Sequence, residues 1–256
     1  MLSSTAITAQ TRNAPQGVID LQAVTPILGG RLETHIVDQL LPVEEVHLIA
    51  GPTGAGKTRW LVETVLAWSQ GLPWFGYASF PVPWLYVAGD RTQAGCNRTF
   101  RSLDISPERI PLLPAWDLQL GMSGVIDRAN AAGAKFLIFE GFHKYAEGIN
   151  SKQVANWLQG ISAMLRQNHL SILGVMEEPK MKPKDRYLNP RQRISGCAAW
   201  GHCCETIFLI EHKDEANITD PRRILYVCPR NAPTAICQAT LADGHFRIIP
   251  GDEMVV

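Results

Sequence analysis

Apolar residues in this chain gather into short unbroken runs, and between the runs they recur every three or four positions. The runs Val46–Ala50, Trp84–Ala88, 136–139 and 170–175 are apolar along their whole length and have the size of strands. After the first of them, Trp60, Leu61, Val65, Leu66 and Trp68 follow a helical period until Gly71 and Pro73 interrupt it. Similar spacing predicts helices over 93–102, 122–132 and 152–167, a short amphipathic helix over 36–41, and a short strand over 110–113.

Strands without a polar face, each followed by a helix, indicate a parallel sheet covered on both sides. Beyond residue 204 the rhythm changes to closely spaced strands at 206–210, 224–227, 235–239 and 246–249, with turns at Asp220-Pro221 and Asp243-Gly244. Connections that short join antiparallel neighbours, so these strands are expected to extend one edge of the sheet. The predicted fold class is α/β, a parallel central sheet flanked by helices with antiparallel strands added at the C-terminal edge. Residues 1–30, rich in Ser, Thr, Ala, Gln and Gly with little periodicity, are expected to form a flexible arm, and 31–256 a single domain.

The 256 residues can bury a large core, and 46% hydrophobic with 19% charged residues places the chain among soluble globular proteins. Its 24 basic residues balance its 24 acidic ones, so any contact with nucleic acid must be local and not the work of a diffuse positive field. The six cysteines lack paired C-x-x-C spacing and the density of a secreted disulfide scaffold, which points to reduced thiols in a cytoplasmic protein. Cys203 and Cys204 beside His202 read as packing residues, because adjacent side chains point apart. No apolar run is long enough to span a membrane, and the first residues lack a basic segment followed by an apolar one, so the protein is expected to be untargeted.

The chemistry concentrates where the first strand ends. Gly51-Pro52-Thr53-Gly54-Ala55-Gly56-Lys57-Thr58 is a complete G-x-x-x-x-G-K-T phosphate loop between a strand and a helix. Its glycines let main-chain amides close around phosphates, Lys57 reaches the β and γ oxygens, and Thr58 offers a hydroxyl to Mg²⁺. The ligand class is a nucleoside triphosphate; no N-K-x-D base-reading motif for GTP and no L-S-G-G-Q signature occurs.

Cleaving a phosphoanhydride calls for a metal ligand, a group that orients water, and positive charge at the γ-phosphate. Glu140, closing the third apolar strand, is expected to hold Mg²⁺ directly or through water, or to orient the attacking water; its extra methylene relative to the commoner Asp keeps those roles open. Asp90, closing the second strand, is the candidate for activating water, with His143 as a weaker alternative. Arg230, on the Pro-flanked turn Pro229-Arg230-Asn231-Ala232-Pro233, reads either as a surface residue or as a guanidinium inserted into a neighbouring subunit's site.

Residues 176–194 carry Lys180, Lys182, Lys184, Arg186, Arg191 and Arg193 against three acids, with Pro179, Pro183 and Pro190 opposing regular structure. Tyr187 adds one surface on which a base can stack. Several copies in a ring or filament would combine these charges into a positive channel for nucleic acid, with single-stranded DNA the expected partner.

These parts in this order resemble the RecA-like ATPase family, and within it the RepA-type hexameric helicase branch of plasmids and phages. The resemblance is carried by Leu48 through Thr58, by Leu85-Tyr86-Val87-Ala88-Gly89-Asp90 and by Phe136-Leu137-Ile138-Phe139-Glu140. Ile194 through Trp200 and Val227-Cys228-Pro229-Arg230-Asn231 add to it. It implies ATP and Mg²⁺ as cofactors, hydrolysis at interfaces of a homo-oligomer, a catalytic carboxylate at Asp90, the second acidic motif at Glu140 and a trans-acting basic residue near Arg230. The sequence departs from that family at Glu140, where Asp is common, and at Met176-Glu177, where a His or Gln that senses the γ-phosphate is common. A small-molecule kinase using Asp90 beside an acceptor hydroxyl, and an ATP-gated loader or scaffold with weakened hydrolysis, are the competing classes.

Overall fold

The computed structural model describes residues 35–74, 77–89, 91–114, 121–146, 148, 150–177, 189–194, 198–214, 217, 219–242 and 245–249. The expected arm at 1–30, Asp90, residues 178–188 of the basic segment and the Asp243-Gly244 turn lie outside them.

Strands β1 (His35–Val37) and β2 (Leu41–Pro42) form an antiparallel ribbon where a helix was expected over 36–41. So short a helix closes too few hydrogen bonds to offset its nucleation. The β-branched Ile36 and Val37 instead pair outward: Phe80 N donates to Ile36 O and Asp38 N to Ala78 O, each at 2.9 Å, and Gln39 turns the chain with φ 60°.

The elements that follow alternate as expected as far as β7: β3 (Val46–Ala50), α1 (Lys57–Ser69), β4 (Trp84–Ala88), α2 (Gln93–Ser102), β5 (Leu112–Pro114), α3 (Gly121–Ala131), β6 (Phe136–Glu140), α4 (Ser151–Asn168) and β7 (Ser171–Val175); a helix that was not expected, α5 (Ala198–Cys203), then precedes β8 (Thr206–His212), β9 (Arg222–Pro229), β10 (Ala235–Ala242) and β11 (His245–Ile248). The short strand expected over 110–113 begins slightly later, at Leu112.

Nine strands make one sheet in the order β11-β10-β9-β8-β3-β7-β6-β4-β5. The six strands from β8 to β5 are parallel, and β9, β10 and β11 each run antiparallel to the preceding strand. The strand expected at 206–210 therefore belongs to the parallel sheet, because the chain reaches β8 through α5, and the antiparallel extension starts with β9.

Helices α1 and α2 and the ribbon cover one face, around Trp60, Trp68, Trp74, Phe100 and Phe208. Helices α3, α4 and α5 cover the other, around Ile126, Phe142, Leu158, Leu165 and Trp200. In β6 the alternation sends Leu137 and Phe139 into one layer and Phe136 and Ile138 into the other, which is why the strand has no polar face. Among the described residues no helix is long and apolar enough to cross a membrane, no disulfide forms, and no cluster of His, Cys, Asp and Glu could hold a metal ion.

One buried histidine makes this core sensitive to acid. His47, in β3, is fully buried with Nε2 2.9 Å from Pro42 O, and burial lowers its pKa from 6.5 to about 4. The unfolded chain thus takes up this proton first, so the contribution to stability is intact above pH 6.5 and is lost as pH falls toward about 4. The expected loss is about 3 kcal/mol, read as a falling urea midpoint across that window, and His47→Gln should flatten the slope.

Candidate functional site

Every parallel strand ends on the same side of the sheet, and β3 delivers the chain there into the phosphate loop. Gly51 must lack a side chain, since a Cβ would collide with the carbonyl oxygen of Ile210 in β8. Gly56, in the left-handed region at φ 94°, starts α1, and a Cβ there would sit 3.0 Å from Leu241 of β10. The N-terminus of α1 carries no side-chain cap and no acidic residue in its first turn. Helix α2, in contrast, is capped by Thr92 and α4 by an Asn150–Gln153 capping box. The first amides of α1 therefore keep their donors for a ligand, at the positive end of the helix dipole.

Lys57 folds back over the loop, its ammonium donating to Gly51 O at 2.6 Å and Pro52 O at 3.0 Å. Thr58 Oγ1 donates to Glu140 Oε1 at 3.0 Å. Strand β7 lies between β3 and β6, so this bond spans a strand and brings the Glu140 carboxylate to the loop. Glu140 is only 4% exposed and is flanked on its other oxygen by Arg91, Nε to Oε2 3.7 Å. Tyr86 packs beside it; burial and then the Glu140 carboxylate raise the Tyr86 phenol well above its ordinary range. A threonine hydroxyl and a carboxylate in mutual contact are an oxygen donor set that fits a hard divalent cation.

Asp90 lies outside the described residues. On either side of it Gly89 N donates to Glu140 O at 3.1 Å and Arg91 meets the Glu140 carboxylate. His143 sits half-buried in the 3-10 turn Phe142–Ala146, and its Nδ1 is buried without a hydrogen-bond partner among the described residues.

Arg230 stands at the other end of the sheet. Its guanidinium pairs with Glu205 at 3.8 Å and is 53% exposed, and Glu205 N in turn donates to Val46 O at the start of β3. The length of β3, roughly 17 Å at strand rise, separates that end from the phosphate loop. Arg230 is thus not part of this chain's own loop site.

Of the six basic residues between 176 and 194, Arg193 is buried and Arg191 half-buried. Arg191 donates to the carbonyls of Gly201, Cys204, Glu205 and Cys228, and burial lowers its pKa. Arg193 pairs with Glu211 at 2.8 Å and lies over the Tyr226 ring, 4.7 Å from its centroid. Lys180, Lys182, Lys184 and Arg186, with Tyr187, fall outside the described residues.

Three loop partners were not singled out from sequence as site residues. Arg91 faces Glu140. Glu177, just past β7, accepts from Thr53 Oγ1 at 3.2 Å. Arg223, at the start of β9, donates to Ala55 O at 3.0 Å. The last was detectable from alternation, because Arg223 shares the inward parity of Leu225 and Val227.

The family model described as "AAA domain" matches residues 31–169 of this chain. Among solved structures, the KaiC-like protein from the hyperthermophilic archaeon Pyrococcus horikoshii superposes with a TM-score of 0.58 at 12% identity, covering 84% of this chain and 94% of that one. No curated protein matches the chain. The fold is thus that of the RecA-like P-loop ATPases.

Lys57→Met should weaken Mg-ATP binding by about 10- to 100-fold, the worth of one charge-assisted contact to phosphate. Displacement of a fluorescent nucleotide measures it; unchanged affinity would remove the loop from the site.

Proposed function

This chain belongs to the AAA-domain family, and on that premise we propose that it is an oligomeric Mg-ATP-hydrolysing motor of the RepA-type helicase kind, acting on DNA in replication or recombination. The observation that carries the reading is the Thr58–Glu140 contact, which joins the loop to the acidic strand end as nucleotide hydrolysis requires.

In this reading the loop amides and Lys57 hold the β and γ phosphates, and Thr58 with Glu140 would hold Mg²⁺, directly or through water on the Glu140 side. A cation held there would supply neutralising charge to the phosphates. Asp90 takes the proton of the attacking water, and Arg230 of one subunit stabilises charge on the γ-phosphate held by the next. What supports the trans role is the placement of Arg230 on a partly exposed turn remote from its own loop. What supports nucleic-acid contact is the charge of Lys180, Lys182, Lys184 and Arg186 beside Tyr187, a segment that follows directly on Glu177 and its bond to Thr53.

Arg230→Ala is expected to lower turnover by about 10³-fold or more while nucleotide binding persists. Mixing it with Lys57→Ala, itself inactive, should restore part of the turnover, since each supplies what the other lacks at a mixed interface. Failure of the mixture to recover any activity would refute the trans role. Turnover should also rise with protein concentration and with single-stranded DNA. A response to a metabolite and not to DNA would favour a kinase, and ATP-dependent assembly without phosphate release a gated scaffold.

A further inference from the structure

Arg223 is 4% exposed, yet no carboxylate lies within ion-pair distance of it among the described residues. Its Nε donates to Ala55 O at 3.0 Å, and its Nη1 donates to Arg222 O at 2.9 Å and to Asp220 O. The nearest acid, Asp220, is engaged by Arg222 instead, in a forked pair with contacts of 3.0 and 2.6 Å. A guanidinium buried against carbonyl oxygens alone leaves a net positive charge in the protein, a costly arrangement unless something negative arrives nearby. Burial accordingly lowers its pKa, although an arginine stays protonated.

The geometry points to Arg223 as a positioning residue for the phosphate loop, one that fixes the Ala55–Gly56 peptide from behind and charges it for a nucleoside polyphosphate. The inference rests on the phosphate-loop reading above. Ala55 C=O and Gly56 N–H belong to a single peptide unit. Holding the carbonyl outward turns the amide inward, and a cation on the oxygen makes that amide a stronger donor. Gly56 is also where the uncapped α1 begins. Lys57 plays a different part, because the carbonyls it holds, Gly51 O and Pro52 O, are given up when its ammonium moves to phosphate, whereas Ala55 O remains held.

The register explains why this residue can reach. Arg223 lies opposite His212 across the β8–β9 pair, and β8 runs parallel to β3, so the start of β9 stands beside the loop. His212 is drawn in as well, buried beside the Thr53 main chain, with burial and then the Arg223 charge lowering its pKa. Imidazole there is neutral near pH 7, so His212 adds no charge to that of Arg223.

The test is equilibrium binding of Mg-ADP and steady-state ATP turnover for the full chain and for Arg223→Met, Arg223→Lys and Arg222→Met. Binding by the unaltered chain that Lys57→Met weakens establishes the loop reading first; its absence would sink that reading. Given it, Arg223→Met should weaken Mg-ADP about 10- to 30-fold and raise KM by a similar factor, with kcat within about 3-fold. Arg223→Lys, keeping the charge but not the fork, should recover most of the affinity. Arg222→Met removes the Asp220 pair from the same turn without touching the loop, and should leave affinity unchanged. Equal losses for Arg222→Met and Arg223→Met, or no rescue by Lys in a chain with a native thermal midpoint, would overturn the proposal in favour of a role in the hairpin alone. If Arg223→Met does not fold, Arg223→Lys decides: a loss of about 2- to 4-fold in affinity supports the assignment, and either full affinity or a loss of about 10-fold or more overturns it.

Discussion

The site depends on which way the carbonyls of one short loop point. Residues 51–56 leave the end of the interior strand β3, where unpaired main-chain groups are costly, and each loop carbonyl there needs a donor. Lys57 serves Gly51 and Pro52, and Arg223 serves Ala55. Ala55 N donates back to Pro52 O at 3.2 Å within the loop, and the start of α1 adds donors that no side chain occupies. An anion-binding cavity of this kind is built before its ligand arrives, so little ordering is charged to binding.

The sheet order brings the other parts to this loop. Because β7 is inserted between β3 and β6, the carboxylate at the end of β6 meets the first turn of α1 and not the loop itself, at the Thr58 hydroxyl. The strands on both sides of β3 reach the loop too: Glu177 beyond β7 touches Thr53, and the β8–β9 pair supplies Arg223. Strand β9 then runs the length of the sheet, from Arg223 beside the loop to the turn carrying Arg230 at the opposite end. The same packing that buries Leu225 and Val227 therefore separates two arginines with different surroundings, one interior and one partly exposed.

Much of this was legible in the residues. Strands buried on both faces show as unbroken apolar runs, and the phosphate loop is set by local backbone chemistry, so both could be read without tertiary information. The segment 36–41 misled because Ile36, Val37, Leu40 and Leu41 fit a helical period as well as they fit two strand ends, and only the pairing with 78–80 decides between them. Arg191 and Arg193, beside lysines and prolines, read as part of the basic segment that meets nucleic acid. Their partners, the carbonyls of 201, 204, 205 and 228 and the Glu211 carboxylate, are distant in the chain and invisible to composition. Arg223 was hidden for the same reason, although its parity with Leu225 was on view.

The central claim is that the loop receives a polyphosphate through its amides, with Lys57 and the Thr58–Glu140 pair completing the site. A crystal structure with Mg-ADP and a γ-phosphate mimic tests it most directly. The Lys57 ammonium is expected to have left Gly51 O and Pro52 O for the phosphate oxygens, with the cation at Thr58 Oγ1 within reach of Glu140 and Arg223 still on Ala55 O. A nucleotide bound elsewhere, or Lys57 still held by the loop carbonyls with the phosphates in place, would contradict it.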